Sequence, residues 1–134
     1  MSILLNVTGG TIRNDSEGSG YFGAPRGSDV HHGVDLTLPR GAGQALLAPI
    51  TGRFDRVSYP YGDDLRWKGG IFANEDIAIW LFYFEPDQNL FREEVSMGQV
   101  IGITQDISIK YPGMIPHIHM QVGEHGEINP LLLM

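Results

Sequence analysis

Cysteine is absent from this chain of 134 residues. Neither a disulfide framework nor a thiolate metal site is therefore possible, and any bound metal must be held by His, Asp or Glu. The length lies in the usual range for one domain that buries its own core. We therefore predict a single domain over residues 1–134.

Cationic side chains are scarce. Nine Lys and Arg against sixteen Asp and Glu give a formal net charge of −7, which is the wrong sign for gripping a phosphate backbone. Long hydrophobic runs are scarce as well: the start, Met1–Val7, has apolar residues but no basic leader, and it is too short for a signal peptide or a membrane span. We expect a soluble chain that binds no nucleic acid. If it acts outside a cytoplasm, we expect that another agent must carry it there.

No window has a long apolar period of 3.6 residues, so helices should be few and short. Eighteen Gly and eight Pro punctuate short apolar stretches at close intervals, which predicts an all-β fold. The candidate strands are Ile3–Thr8, Gln44–Ala48, Gly52–Ser58, Asp76–Tyr83, Val100–Gln105 and Ile118–Val122.

One of these stretches, Ile77–Phe84, is apolar on both faces and is typical of a central strand covered on both sides. Two segments, Asn14–Gly33 and Ser58–Gly70, are predicted to be long loops. Long loops in a compact domain are often its working parts.

Four of the five histidines fall in two tight clusters, His31-His32-Gly33-Val34-Asp35 and His117-Ile118-His119. In a strand, a His-x-His pair presents both imidazoles on one face, roughly 7 Å apart along the chain. In the first cluster, Gly33 lets the backbone bend so that His31 and Asp35 can converge.

Two imidazoles and one carboxylate are the ligands of several hydrolytic zinc sites, which keep a fourth position for water. Zinc lowers the pKa of such a water to about 7 and polarises the carbonyl under attack. A His-x-His pair is, however, also compatible with two exposed or hydrogen-bonded side chains. Neither cluster matches the helical His-Glu-x-x-His zinc motif.

The chain resembles the lysostaphin-like metalloendopeptidases of cell-wall metabolism. The resemblance begins with His-x-x-x-Asp in a His-x-Gly-Val-Asp-Leu setting, continues to the later His-x-His, and covers roughly residues 20–130. Its surroundings also agree, at Gly23-Ala24-Pro25-Arg26, Ala48-Pro49-Ile50-Thr51-Gly52, Gly98-Gln99-Val100-Ile101-Gly102 and Asn129-Pro130.

The resemblance implies an antiparallel β-sheet core of the lysostaphin-like type, with long loops that form a substrate groove. It implies one zinc ion held by His31, Asp35 and His119, with His117 working on protons. It also implies peptidoglycan as the substrate, cut in its stem peptides or cross-links. We interpret His32 as a loop side chain and His125 as facing solvent in a turn.

The family usually carries a further catalytic histidine fifteen residues before the Gly of Gly-Gln-x-Ile-Gly, and this chain has Tyr83 there. A tyrosine hydroxyl can donate to a developing oxyanion, but with a free pKa of about 10 it is a poor base near neutral pH. A core aromatic with a bonded hydroxyl is the alternative reading of Tyr83.

We therefore expect a monomeric zinc endopeptidase acting on peptidoglycan. Because an acidic chain gains no electrostatic help from an anionic wall, we expect action at high local concentration, as with a phage or prophage endolysin released on lysis or mounted on a virion. The alternatives are an inactive relative that serves as a cell-wall binding or activating module, or a structural component of a phage particle.

Overall fold

A computed structural model describes residues 3–134. Within that range the regular structure is thirteen β-strands and three 3₁₀ turns, at Gln88–Leu90, Ile107–Ile109 and Pro130–Leu133, with no α-helix. The strands are β1 (Asn14–Asp15), β2 (Gly18–Ser19), β3 (Pro25–Arg26), β4 (Asp29–Val30), β5 (Val34–Thr37), β6 (Ala45–Leu47), β7 (Gly52–Ser58), β8 (Gly69–Ala73), β9 (Ala78–Phe82), β10 (Phe84–Pro86), β11 (Glu94–Val95), β12 (Val100–Thr104) and β13 (His117–Val122). The predicted all-β class is confirmed. None of the helical segments in the described range is long and apolar enough to cross a membrane.

The main sheet has six strands in the order β11-β7-β8-β9-β13-β5, and every neighbouring pair is antiparallel. A second sheet of three strands has the order β10-β12-β6. Strand β10 begins two residues after β9 ends, so the chain passes from one sheet to the other at Tyr83. This transition places Tyr83 beside the end of β13 that carries the two site histidines.

The core consists of the inward side chains of both sheets. In β7 the side chains of Arg53 and Phe54 point to opposite faces, and Phe54 is buried while Arg53 is exposed. The ring centroid of Phe54 lies 4.3 Å from that of Phe72 and 6.4 Å from that of Phe84. Aromatic contacts therefore join β7, β8 and β10. Full burial of such a ring contributes roughly 1.5–3 kcal/mol.

Most of the predicted strands are present. Gly52–Ser58 matches β7, and strands β6, β9, β12 and β13 lie at the positions predicted for them to within two residues at each end. The prediction that Ile77–Phe84 is central is confirmed, because β9 has strands on both sides in the sheet. The prediction that it is covered on both sides is wrong in part: Ile79 and Leu81 are fully buried, while Trp80 and Phe82 on the other face are half-buried.

The predicted strand Ile3–Thr8 is wrong. Oδ1 of Asn6 accepts hydrogen bonds from the amides of Thr8 and Gly9, and Gly9 has a φ of 76°. These local bonds close a turn, which prevents an extended ladder. The first two residues of the predicted leaderless start, Met1 and Ser2, lie outside the described residues.

In the two larger sheets, strands β5, β8, β10 and β11 lie outside the predicted strands. Strand β8 begins with Gly69 and Gly70, which resemble loop residues in the sequence. A Cβ at Gly69 would overlap the carbonyl of Leu81, and one at Gly70 would lie 2.6 Å from the ring of Phe54. Glycine is required there because the neighbouring strand and the core approach the backbone closely.

The two predicted long loops border one end of the main sheet. The segment Asn14–Gly33 contains two short hairpins, β1-β2 and β3-β4, rather than being irregular throughout. The segment Ser58–Gly70 joins β7 to β8. Both contribute side chains to a groove of about 450 Å³ over this end of the sheet.

Candidate metal centre and surrounding groove

The pairing of β5 with β13 brings the two histidine clusters together. Asp35 and His119 are direct partners in this antiparallel register, so their side chains lie next to each other on one face. His31 precedes β5 and reaches the same point across Gly33. A Cβ at Gly33 would lie 2.7 Å from Cε1 of His119 and would overlap the carbonyl of Met120, so only glycine fits between the clusters.

Three donor atoms meet at this point. Nε2 of His31 lies 3.0 Å from Nδ1 of His119, and Oδ1 of Asp35 lies 3.2 Å and 3.1 Å from these two nitrogens. His31 and Asp35 are buried, and the His119 side chain is 14% exposed. The structure thus brings together the three side chains that the sequence predicted as zinc ligands, and we call these three atoms the donor triangle.

The outer nitrogen of each imidazole faces a carbonyl oxygen. Nδ1 of His31 donates to the carbonyl of Tyr21 at 3.0 Å, and Nε2 of His119 donates to Oε1 of Gln121 at 3.1 Å. The Gln121 amide is oriented by its nitrogen, which donates to the carbonyls of Gly123 and Glu124. The ring protons are therefore assigned to the outer nitrogens, and both inner nitrogens present lone pairs.

Two lone pairs and a carboxylate oxygen in contact attract a positive charge. A divalent metal ion satisfies all three at once, and a ligating histidine that donates its other N–H to a carbonyl is the usual support of such a site. Zinc bonds of 2.0–2.2 Å in a tetrahedron separate ligands by roughly 3.3 Å, close to the observed edges of 3.0–3.2 Å. The residues therefore fit a zinc ion, although this donor set also accepts other divalent ions.

Asp35 is surrounded by cationic and polar groups. Its second oxygen, Oδ2, lies 3.1 Å from Nε of Arg13 and 3.8 Å from the guanidinium of Arg26. The carboxylate therefore stays ionised, with Oδ1 turned to the imidazoles and Oδ2 to the arginines.

His117 lies beside the donor triangle. Its Nδ1 donates to the carbonyl of Ile115 at 2.8 Å, and its Nε2 lies 3.6 Å from Oδ2 of Asp35. Burial lowers the pKa of His117, against the opposing effect of the Asp35 charge. The ring is therefore neutral near pH 7 and presents the lone pair of Nε2 to the groove, as a general base requires.

The ring of Tyr83 packs edge-on against the ring of His117, and the two ring centroids lie 5.2 Å apart. The backbone φ of Tyr83 is 80°, which is uncommon for a residue other than glycine. Its hydroxyl lies 2.9 Å from that of Tyr61, and burial raises the pKa of Tyr83 to about 12. Tyr83 is therefore a neutral hydrogen-bond donor or acceptor at physiological pH, and not a base.

The groove runs over these residues and has an aromatic wall. Tyr61 stacks on Tyr83, and the ammonium of Lys110 lies 4.7 Å above the Tyr61 ring. Tyr61 and Arg13 line the groove but are not among the predicted site residues. Tyr61 lies in the predicted loop Ser58–Gly70, Arg13 immediately precedes the predicted loop Asn14–Gly33, and neither belongs to a recognisable motif. The groove is lined by Arg13, Arg26, His31, Asp35, Tyr59, Pro60, Tyr61, Phe82, Tyr83, Tyr111, Met114, His117 and His119.

The remaining histidines lie outside this groove. Nε2 of His32 lies 3.2 Å from the carboxylate of Asp29 at the surface, and His125 is exposed. The loop and solvent-facing interpretations of these two residues are confirmed.

The fold and the donor triangle together define a class: an all-β protein with a His/Asp/His site suited to a divalent metal. Among solved structures the chain is similar to lysostaphin from Staphylococcus simulans, with a TM-score of 0.61 and 22% identity over 86% of this chain and 44% of that one. It is also similar to the solution structure of lysostaphin, with a TM-score of 0.57 and 23% identity over 82% and 43% of the two chains. The chain therefore has the lysostaphin-like fold that was predicted, and it spans less than half of the lysostaphin chains it matches.

Sequence comparison finds animal relatives. Leukocyte cell-derived chemotaxin-2 is 27% identical in Bos taurus over 108 residues, which are 80% of this chain and 69% of that protein, and 27% identical in Mus musculus over 122 residues, 90% and 78%. Myeloid protein 1 of Gallus gallus is 30% identical over 111 residues, 80% of this chain and 33% of that protein. No family model matches the chain. The chain is thus similar in fold to lysostaphin and similar in sequence to leukocyte cell-derived chemotaxin-2.

Proposed function

We propose that the chain is a single metallopeptidase domain that binds one zinc ion and hydrolyses amide bonds in the stem peptides or cross-links of bacterial peptidoglycan. The observation that carries the proposal is the donor triangle of His31, Asp35 and His119. Two inner nitrogens, assigned as acceptors, lie 3.0 Å apart beside a carboxylate oxygen, an arrangement that suits a divalent cation. The lysostaphin-like fold supports peptidoglycan as the substrate.

In this mechanism His31, Asp35 and His119 would hold the zinc. When bound, zinc supplies a water of lowered pKa and polarises the scissile carbonyl. His117 accepts the proton of the attacking water at Nε2, since its Nδ1 is already committed to the carbonyl of Ile115. The imidazolium formed in this way then returns the proton from Nε2 to the leaving amine, because an imidazole exchanges protons readily near neutral pH.

Tyr83 takes an electrophilic role in the proposal. Its phenol stays protonated across the physiological range and donates to the substrate oxygen that gains negative charge. Donation of the Tyr61 hydroxyl to the oxygen of Tyr83, over the 2.9 Å that separates them, leaves the Tyr83 proton free for the substrate. Removing one such donor typically costs roughly 10²–10³-fold in turnover.

The test is digestion of purified peptidoglycan by the zinc-loaded protein, with fragments identified by mass spectrometry. The site variant is His117→Ala, and the matched control is His125→Ala, an exposed histidine outside the groove. We expect cleaved stem or bridge peptides from wild type and control and none from His117→Ala. Folded, zinc-loaded wild type that releases no peptides would overturn the peptidase proposal.

One observation favours a second candidate, a cell-wall binding or activating module without fast turnover. The position of the family's further histidine is Tyr83, whose pKa of about 12 rules out a base near pH 7. Saturable binding of the inactive wild type to peptidoglycan, weakened by chelation, would support this candidate.

We further propose that the protein is delivered to the wall at high local concentration, either as a monomeric phage or prophage endolysin or as a part of a virion. The supporting feature is its net charge of −7, which gives no attraction to an anionic wall. Co-purification with an intact phage particle, against recovery free in a lysate, distinguishes a virion component from a released enzyme.

A further inference from the structure

Arg13 is the largest of the buried charged side chains and lies directly behind the donor triangle. It is 1% exposed, and Nε donates to Oδ2 of Asp35 at 3.1 Å. Its NH1 group donates to Oδ1 of Asp15 at 2.7 Å and to the carbonyl of Gly18 at 3.3 Å. One planar guanidinium therefore bridges two buried carboxylates, a task that its fixed fork of donors suits.

The backbone locks this arrangement as well. The Arg13 amide donates to the carbonyl of Asp35 at 2.8 Å, and the Asp35 amide donates to the carbonyl of Gly20 at 2.9 Å. A Cβ at Gly20 would lie 2.8 Å from Cβ of Asp35, so the segment packs against the ligand without spare room. Arg13 is thus held at a fixed position relative to Asp35 by main chain and side chain together.

The second carboxylate extends the network to His117. Oδ2 of Asp15 accepts the amide of Ile115 at 2.7 Å, and the carbonyl of the same residue accepts Nδ1–H of His117 at 2.8 Å. Asp15 thereby holds the peptide segment that fixes the tautomer of the proposed base. The chain of contacts runs from Asp35 through Arg13 and Asp15 to Ile115 and His117.

We propose that Arg13 is a positioning residue for both halves of the site: it holds Asp35 with Oδ1 toward the metal and, through Asp15, holds His117 with Nε2 toward the groove. This inference rests on the metal site of the proposed function. A purely electrostatic role has the opposite consequence for metal binding, because a cation beside a ligand repels a divalent ion. Removing Arg13 would then tighten zinc binding, whereas removing a positioning residue weakens it.

The test uses the full chain with Arg13→Met, Arg13→Lys and Asp15→Asn, and with Arg66→Met as control. Arg66 forms an ion pair of 2.8 Å with Asp64 but is 74% exposed and lies outside the groove. Zinc affinity is measured by chelator competition at a temperature where circular dichroism shows each variant folded. The tautomer of His117 is read from its ring ¹⁵N shifts in the metal-free protein.

We expect Arg13→Met to weaken zinc binding by roughly 10–100-fold, the usual effect of losing an outer partner of a ligand. Arg13→Lys keeps the charge but lacks the fork that reaches both carboxylates, so we expect at least about a tenfold loss there as well. Arg66→Met should bind as wild type does. If Arg13→Met fails to fold, Arg13→Lys decides.

For His117 we expect the tautomer protonated at Nδ1 in wild type and a mixture in Asp15→Asn. An asparagine presents one acceptor where Arg13 and the Ile115 amide both donate, so one of the two contacts is lost. Unchanged or tighter zinc binding in folded Arg13 variants, or an unchanged tautomer in Asp15→Asn, would overturn the proposal. Wild type that bound no zinc would instead remove the proposed metal site, and the His117 tautomer in the Arg13 and Asp15 variants would then decide whether Arg13 positions His117.

Discussion

Nε2 of His31 lies 3.0 Å from Nδ1 of His119, although the hydrogen bonds of both rings place their protons on the far nitrogens. Two acceptors at this distance repel each other unless a cation lies between them. The outer acceptors are the carbonyl of Tyr21 and the amide oxygen of Gln121. They fix which nitrogen of each ring faces the donor triangle.

Gln121→Leu should weaken zinc binding by roughly 10–100-fold, because the His119 ring loses the acceptor that fixes its tautomer and orientation. The measurement is a competition titration with a chromogenic chelator. Gln99→Leu is the matched control, since its side chain accepts the amide of Ser96 on an exposed surface remote from the groove. Equal losses in the two variants would contradict the assigned support role.

Tyr83→Phe should lower kcat by roughly 10²–10³-fold with little change in KM, because a hydroxyl that acts on developing negative charge matters mainly in the transition state. Tyr83→His should raise kcat, since an imidazole with a pKa of about 6.5 can exchange protons near neutral pH. The readout is steady-state cleavage of a peptidoglycan-derived peptide. Full activity of Tyr83→Phe would show that the hydroxyl takes no part.

Gly33→Ala should lose zinc binding and destabilise the fold, because the added Cβ meets the carbonyl of Met120 and the ring of His119. Overpacking of this kind costs roughly 1–3 kcal/mol in the free energy of unfolding. Gly62→Ala is the control, since a Cβ there meets nothing within 4 Å. Thermal unfolding with and without zinc measures both effects, and a Gly33→Ala protein stabilised by zinc as strongly as wild type would refute the packing argument.

The contacts of Asp15 predict that the free energy of unfolding depends on pH. Burial alone would raise the pKa of its carboxyl, but the amide of Ile115 and the guanidinium of Arg13 outweigh that effect and lower the pKa below 3.8. A depressed folded pKa contributes stability above the unfolded value, and this contribution is lost as the pH falls through the folded value. Asp15→Asn should therefore be less stable than wild type at pH 6, and the difference should vanish at lower pH.

The measurement for Asp15 is urea unfolding between pH 6 and pH 2 in the absence of zinc. Asp55→Asn serves as control, because Asp55 pairs with Arg56 at the surface, where ion pairs contribute little. A difference between wild type and Asp15→Asn that stayed constant over the whole range would show that the charge of Asp15 is not involved.

The sequence alone determined the features that depend on local pattern. The close spacing of Gly and Pro and the absence of a 3.6-residue period fixed the all-β class. The short stretch Gly52–Ser58 between turn residues located β7, and the resemblance of the His31 to Asp35 segment to a known motif indicated two of the three donor residues. Such patterns are readable because each depends on the direction of successive side chains along one strand or turn.

Only the tertiary structure decided the features that depend on contacts between distant residues. The register of β13 against β5 places His119 beside Asp35, 84 residues away in the chain. The glycines of β8 form a strand because the neighbouring strand and core press on them, and Ile3–Thr8 forms none because the side chain of Asn6 closes a turn. Arg13 and Tyr61 acquire their positions from nonlocal packing, which carries no periodic signal in the sequence.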